Sequence, residues 1–364
     1  MFMKKYRFYE RILINKVNKN SYEFYKPILA LEKTSEKIPY RYKKILIEID
    51  NKNEDKLIEQ LIDFNPKTID QLSKRTNLEM NRIKKAIQLL IEKDLIEVVD
   101  KRTILSEKEI ERYDRQLKLF GSLGQPYKIQ EILKRSKISV IGLGSIGSWL
   151  CYNLASMGVG EIIGFDPDIV ELSNLNRQIL YSENDIGTPK ALIAQKKLRE
   201  LNSDISIKMF QQKIDEQNIK TFIPNDLDII ISTVVPLEYA LNSFCVKNRI
   251  PLISQGGGMF CPTGVIVMRP FQTGCFNCIK DPRPIMRKTS QLIYNRFGKQ
   301  YSTTIAFSPF FSLCASIMSM EVFKLLTGYG EPVTNIIIEP FTWQIFYNIF
   351  PLKRRANCEI CGNS

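Results

Sequence analysis

Apolar and polar positions change their rhythm along the chain, and each rhythm predicts a different kind of element. Up to Ile49, aromatic or aliphatic residues alternate with charged ones in short runs, as in Tyr6 to Leu13 and Lys44 to Ile49. That alternation predicts a small antiparallel sheet. From Asn53 the apolar residues recur at helical intervals: Leu57, Ile58, Leu61 and Ile62 share one face, Ile69, Leu72 and the stretch Ser73 to Asn77 mark a short second helix, and Ile83, Ala86, Ile87, Leu90 and Ile91 mark a third. A strand at Leu95 to Val99 follows. Helix, short helix, longer helix and strand is the order of a winged helix-turn-helix.

Glu107 to Phe120 predicts a connecting helix, and Ser122 to Pro126 breaks it. Beyond Lys137, strand and helix patterns alternate. Ile138 to Ile141 leads through a glycine-rich turn into a helix ending at Met157, and Glu161 to Asp166, Asp228 to Thr233 and Pro251 to Ser254 read as further buried strands. Such alternation predicts an α/β fold with a Rossmann-like, mostly parallel sheet. A chain of 364 residues also exceeds what one core usually organises. The expected division is a winged-helix-like α+β domain over 1–110, a connecting helix and linker over 111–136, and the large α/β domain over 137–364.

Composition narrows the chemistry. The chain has no His, which removes Ser-His and Cys-His nucleophile pairs and His-bearing metal sites. Its net charge of +13 is spread out: residues 1–110 carry 24 Lys+Arg against 18 Asp+Glu, and the remainder 28 against 21. The predicted third helix mixes Arg82, Lys84 and Lys85 with Gln88, Glu92 and Asp94 and so offers no concentrated basic face. Nucleic acid is therefore not the expected partner. The longest apolar segment, Ile305 to Leu326, is interrupted by serines and Glu321 and reads as a buried helix, with no membrane span. A cytoplasmic protein is expected.

Ser139 to Gly147 places Gly142, Gly144 and Gly147 in a G-x-G-x-x-G pattern between strand and helix. The glycines permit a tight turn and close approach of a phosphate to backbone N–H groups. Asp166, 19 residues after Gly147 at the end of the next strand, stands where an acidic residue takes ribose hydroxyls. Asp166 also opens the run Asp-Pro-Asp-Ile-Val-Glu-Leu-Ser-Asn-Leu-Asn-Arg-Gln, and Lys190 follows in Asp-Ile-Gly-Thr-Pro-Lys.

From Tyr113 to the C-terminus the chain resembles the ThiF/MoeB-type adenylating enzymes that activate ubiquitin-like and sulfur-carrier proteins. The resemblance implies ATP as ligand, with Asp166 on its ribose and Asn174, Arg177, Gln178 and Lys190 along its triphosphate. Arg115, in Tyr-Asp-Arg-Gln, resembles the arginine that such enzymes insert into the neighbouring subunit's site, which implies a homodimer. One departure is plain. Where the family has a magnesium-binding Asp after the strand at Asp228 to Thr233, this chain has Val234 or Val235, so either Asp168 or the ATP phosphates carry Mg2+ instead, or adenylation is weakened or lost.

Cys275-Phe-Asn-Cys278 and Cys358-Glu-Ile-Cys361 are two thiolate pairs whose spacing suits one tetrahedral Zn2+. A zinc there would pin the C-terminal tail to the core, and the same pairs occur in the resembled family. Chance cysteines or a redox role are the competing readings. Some family members pass the acyl group to a Cys after the first pair, but residues 279–313 contain none. Cys151, Cys245, Cys261 and Cys314 sit in apolar or mixed contexts, and Cys314 is expected in the core.

A sheet plus winged-helix unit ahead of an adenylating core is similar to the microcin C type of adenylating enzyme, where such a unit clamps the precursor peptide. This implies a ribosomal precursor peptide as partner, held against strand edges with apolar residues such as Phe8, Tyr9, Ile45 and Ile47 available for pockets. Adenylation of that peptide's carboxylate is the expected function. The alternatives are a degenerate relative that only binds a leader peptide, an activator of a ubiquitin-like or sulfur-carrier protein, and a nucleotide-sensing DNA-binding regulator.

Overall fold

The computed structural model describes residues 5–8, 12–28, 41–49, 52–62, 67–93, 95–99, 103–121, 123, 125–234, 237–255, 264–278, 306–339, 341–348 and 353–362. The chain divides into two compact units, Met1–Glu131 and Ile132–Ser364.

In the first unit, β1 (Lys5–Phe8) lies antiparallel between β5 (Lys67–Thr68) and β6 (Ile96–Val99). A separate antiparallel sheet contains β2 (Leu13–Asn18), β3 (Ser21–Ile28) and β4 (Arg41–Glu48), with β3 central. The expected run Tyr6 to Leu13 thus contributes to two sheets. Its alternation identified strand residues but carried no information about which strands they would pair with.

The helical part follows the predicted order: α1 (Lys52–Ile62), α2 (Ile69–Thr76) and α3 (Met80–Glu92). Thr68 and Gln71 form a reciprocal capping box at the start of α2, and Asn77 ends it in the left-handed region at φ 59°. Leu57, Leu61, Leu72, Ile83 and Ile87 form one core with Phe8, Phe24, Ile45 and Ile47. Phe8, Ile45 and Ile47 are therefore interior residues and do not line a surface pocket, which corrects the expectation for them; Tyr9 lies outside the described residues. The apolar side chains this sheet does expose are Leu13, Val17 and Leu46.

The expected connecting helix is two helices, α4 (Glu107–Arg112) and α5 (Asp114–Gly121), parted at Tyr113, where φ is −96° and ψ 11°. A further helix, α6 (Pro126–Arg135), occupies the stretch that was expected to be linker. Proline opens it, a position where the missing N–H has no helical acceptor to lose.

The second unit is built on an eight-stranded sheet. Its parallel part contains β7 (Lys137–Ile141), β8 (Glu161–Phe165), β9 (Ser206–Phe210), β10 (Ile229–Ser232) and β11 (Leu252–Gln255), in the order β11-β10-β7-β8-β9. β12 (Gly264–Met268), β13 (Asn335–Glu339) and β14 (Gln344–Tyr347) extend it antiparallel from β11. Both faces of the central strands are covered, so β10 reads as an apolar run buried on both sides, whereas β9 at the edge alternates buried and exposed residues. Ile229 and Ile231 enter one core and Ile230 the other. Among the described residues the covering helices are α7 (Ser145–Met157), α8 (Lys190–Leu201), the short α9 (Ile219–Phe222), α10 (Leu237–Asn248) and α11 (Ser308–Thr327).

Among the described residues α11 is the one helix long and apolar enough to cross a membrane. It packs on α7 and β12 and buries Phe311, Cys314, Ala315, Met318 and Val322 in the core. Burial against α7 and β12 accounts for the apolar residues on that face.

Candidate nucleotide and metal sites

The glycine turn joins β7 to α7 at the carboxyl end of the parallel strands. Gly142 has φ +90°, a left-handed conformation that favours glycine, and its N–H bonds to the Phe165 carbonyl. Gly147 solves a different problem: a Cβ there would lie 1.9 Å from the Gly142 carbonyl oxygen. Gly144 caps α7 with no side-chain hydrogen bond, so the first-turn N–H groups keep their capacity for an anion.

Asp166 closes the turn from the next strand. One carboxylate oxygen accepts from the Leu143 N–H at 2.7 Å and the other from the Asp168 N–H at 2.9 Å. Burial raises its carboxyl above the ordinary range, and those two amides and the Lys190 charge oppose the shift. The segment that follows folds back, with Ile169 bridged to Pro189 and the Lys190 N–H bonded to the Asp168 carbonyl. This return places the Lys190 ammonium 3.1 Å from the Asp168 carboxylate. Lys190 also opens α8, whose N-terminus has no side-chain cap.

Arg177 sends its Nε to Ser145 Oγ at 2.9 Å, in the first turn of α7, and its Nη1 to Asn176 and the Ser173 carbonyl. Asn174 is buried and accepts from the Glu171 N–H. Gln178 is buried beside Gly144, and its Oε1 has no hydrogen-bond partner. The uncapped helix N-terminus and the two nearby cations, Arg177 and Lys190, fit the phosphates of a nucleotide, and the unpaired Gln178 oxygen, an acceptor, would take a hydroxyl or amino donor. Arg115 belongs to α5 in the first compact unit, where its side chain is exposed and 3.6 Å from Asp114.

Pattern reading passed over several residues that hold this site together. Thr233 Oγ1 lies 3.1 Å from both the Ile141 and Gly142 carbonyls, Tyr181 Oη donates to the Leu143 carbonyl at 2.8 Å, and Trp149 Nε1 donates to the Arg177 carbonyl at 3.2 Å. These contacts link strands and loops distant in sequence, so no local spacing signals them. Val234 lies against the same turn, its Cγ2 2.8 Å from where a Cβ of Gly142 would stand. An aliphatic side chain there offers no ligand to a cation. Val235 lies outside the described residues, as does Cys261.

The four cysteines of the two Cys-x-x-Cys pairs come together, with all sulfurs within 4.8 Å of one another. Cys275 and Cys358 are 3.6 Å apart, Cys278 and Cys361 3.4 Å, and Cys275 and Cys278 4.0 Å. A tetrahedral zinc with bonds of ~2.3 Å requires sulfur separations of ~3.8 Å, so the set fits a closed tetrathiolate. Burial pushes the Cys275 thiol up to about 12. At Cys358 burial acts in the same direction, but the Cys361 and Ile360 N–H groups together with the Cys278 and Cys275 sulfurs lower the thiol to about 6. Gly274 gives the tail room: a Cβ there would meet the Lys353 carbonyl oxygen at 2.6 Å.

A doubly covered, mostly parallel sheet with an uncapped glycine turn and an acidic residue on the neighbouring strand defines a Rossmann-like protein with a phosphate cradle. The chain belongs to the ThiF family, whose match spans residues 113–360. The molybdopterin-synthase adenylyltransferase of Escherichia coli K12 is 31% identical over 264 residues, covering 71% of this chain and 98% of that protein. A sulfur carrier protein adenylyltransferase of Thermus thermophilus is 29% identical over 269 residues, 71% of this chain and 93% of that protein. Among solved structures, E. coli MccB with ATP matches with a TM-score of 0.70 at 24% identity, covering 99% of this chain and 100% of that chain. MccB bound to AMPCPP and MccA matches with a TM-score of 0.69. The fold is thus a ThiF-type adenylyltransferase fold.

Proposed function

We propose that this protein is an ATP-dependent adenylyltransferase that activates a carboxylate of a ribosomally synthesised peptide in peptide natural-product biosynthesis. The observation that carries the reading is extent: the likeness to MccB spans 99% of the chain, whereas the adenylyltransferase of E. coli K12 matches 71% of it and the family match begins at residue 113. MccB has been crystallised with MccA, and as the microcin C7 biosynthetic enzyme with N-formylated MccA. The N-terminal unit here is assigned to holding a precursor peptide.

In this reading ATP lies along Gly142 to Gly147, its ribose at Asp166 and its phosphates near Asn174, Arg177, Gln178 and Lys190. A peptide carboxylate oxygen attacks the α-phosphorus, a P–O bond forms, and the α–β bond breaks to release pyrophosphate. Lys190, Arg177 and the partner subunit's Arg115 in a homodimer offset the charge that develops. Asp168 and the phosphates would hold Mg2+, and the four cysteines a structural Zn2+ that supplies stability and no chemistry. The site suits a cytoplasmic enzyme with access to ATP.

The test is isotope exchange between pyrophosphate and ATP in the presence of short peptides encoded beside the gene. Exchange that depends on one such peptide supports the reading; exchange that depends instead on a sulfur-carrier protein moves the enzyme to its sequence relatives' class. The valines at 234 and 235, in place of a magnesium-binding Asp, favour a second reading, with Val235 as its cause, in which the protein binds ATP and leader peptide without turnover. Binding of both with no exchange at any Mg2+ concentration would establish it.

A further inference from the structure

We infer that Trp149 is a positioning residue for Arg177, through a grip that α7 exerts on both the side chain and the backbone of that arginine. The inference rests on the proposed place of Arg177 at the ATP phosphates. Ser145 and Trp149 are four residues apart on α7 and so share one face, a turn apart. Ser145 Oγ accepts from Arg177 Nε at 2.9 Å, and Trp149 Nε1 donates to the Arg177 carbonyl at 3.2 Å. The guanidinium's other bonds stay within its own loop, at Ser173 and Asn176. Three bonds therefore tie this loop to the glycine turn and its helix: those of Ser145 and Trp149, and the one from Tyr181 to the Leu143 carbonyl.

The indole ring of Trp149 is half-buried against the core, so packing and hydrogen bonding are separable in this residue. Its N–H fixes the backbone from which the arginine side chain departs, while Ser145 fixes the direction that side chain takes. A cation held before its ligand arrives loses less rotamer freedom on meeting it. Deleting the N–H while keeping an aromatic ring should therefore weaken ATP binding only through Arg177.

A double-mutant cycle tests this on the full chain, with ATP affinity measured by calorimetry in the wild type, Trp149→Phe, Arg177→Ala and the double variant. Trp149→Phe is expected to weaken ATP three- to tenfold, about the net worth of one hydrogen bond, and to have no further effect once Arg177 is alanine. Because the chain has two Trp, Trp343→Phe leaves Trp149 as the only one, and ATP should change its fluorescence in that background. That change should disappear with Arg177→Ala. Equal losses in both backgrounds, or no loss in either, overturn the inference and leave the ATP reading in place. A wild-type protein that binds no ATP overturns both.

Discussion

Lys190 Nζ lies 3.1 Å from Asp168 Oδ2, and the two side chains differ widely in exposure, 6% for the lysine and 65% for the aspartate. The cation is enclosed by protein while its counter-ion faces solvent. An enclosed cation acts in a low-dielectric setting where it contributes far more to a developing charge than it would in water. Lys190→Ala is expected to lower peptide-dependent pyrophosphate exchange by about 10²–10³-fold, with the thermal midpoint little changed. Full activity in that variant would remove Lys190 from the reaction.

Val234 lies against the glycine turn, and it or Val235 stands where the resemblance to the family leads one to expect a magnesium-binding Asp. Val235→Asp is expected to increase exchange by at least ~10-fold, one step of 1.4 kcal/mol in the barrier. It should also sharpen the response to Mg2+. A titration of exchange rate against Mg2+ in both proteins reads this directly. Identical curves would mean that the valine does not limit metal use.

Protein purified without added metal is expected to contain one zinc per chain, held by Cys275, Cys278, Cys358 and Cys361. The double variant Cys275→Ser, Cys358→Ser should lose the metal and at least ~4 kcal/mol of stability, the scale of a lost metal site. Atomic absorption and denaturant unfolding measure the two effects. Metal-free wild-type protein of undiminished stability would dismiss the site.

Gly147→Ala places a methyl group 1.9 Å from the Gly142 carbonyl, an overlap with backbone that no rotamer relieves. The expected cost is at least ~1–3 kcal/mol of stability, together with loss of ATP binding, because helix and turn must part. Denaturant unfolding and ATP titration of the same preparation report both. Retained affinity would show that the turn can open without consequence for the ligand.

The N-terminal unit is expected to hold peptide and not duplex DNA. Binding of fluorescent precursor peptides and of random-sequence DNA to the full protein, each across a salt series, separates the two. Peptide binding should change little with salt, whereas DNA binding would fall by about 10³–10⁵ between low and moderate salt if many phosphates were contacted. Tight, salt-sensitive DNA binding without peptide affinity would point to a regulator.

What the sequence determined by itself was local. The glycines at 142, 144 and 147, the strand before them and the helix after them depend on neighbours within a few residues, so their spacing was readable and the structure reproduces it. The three helices α1 to α3 of the first unit are legible for the same reason. Continuous apolar runs at β8, β10 and β11 announced strands buried on both faces. Only the tertiary structure decided which strands pair, and it split the run Tyr6 to Leu13 between two sheets and continued the parallel strands into an antiparallel edge. It also turned Phe8, Ile45 and Ile47 inward, since period-two alternation defines two faces without saying which one a core will cover. The contacts from Trp149, Tyr181 and Thr233 that support the nucleotide site depend on packing between elements far apart in the chain. A hydrogen bond of that kind has no sequence period, and it exists only once the sheet and its helices have set the distances.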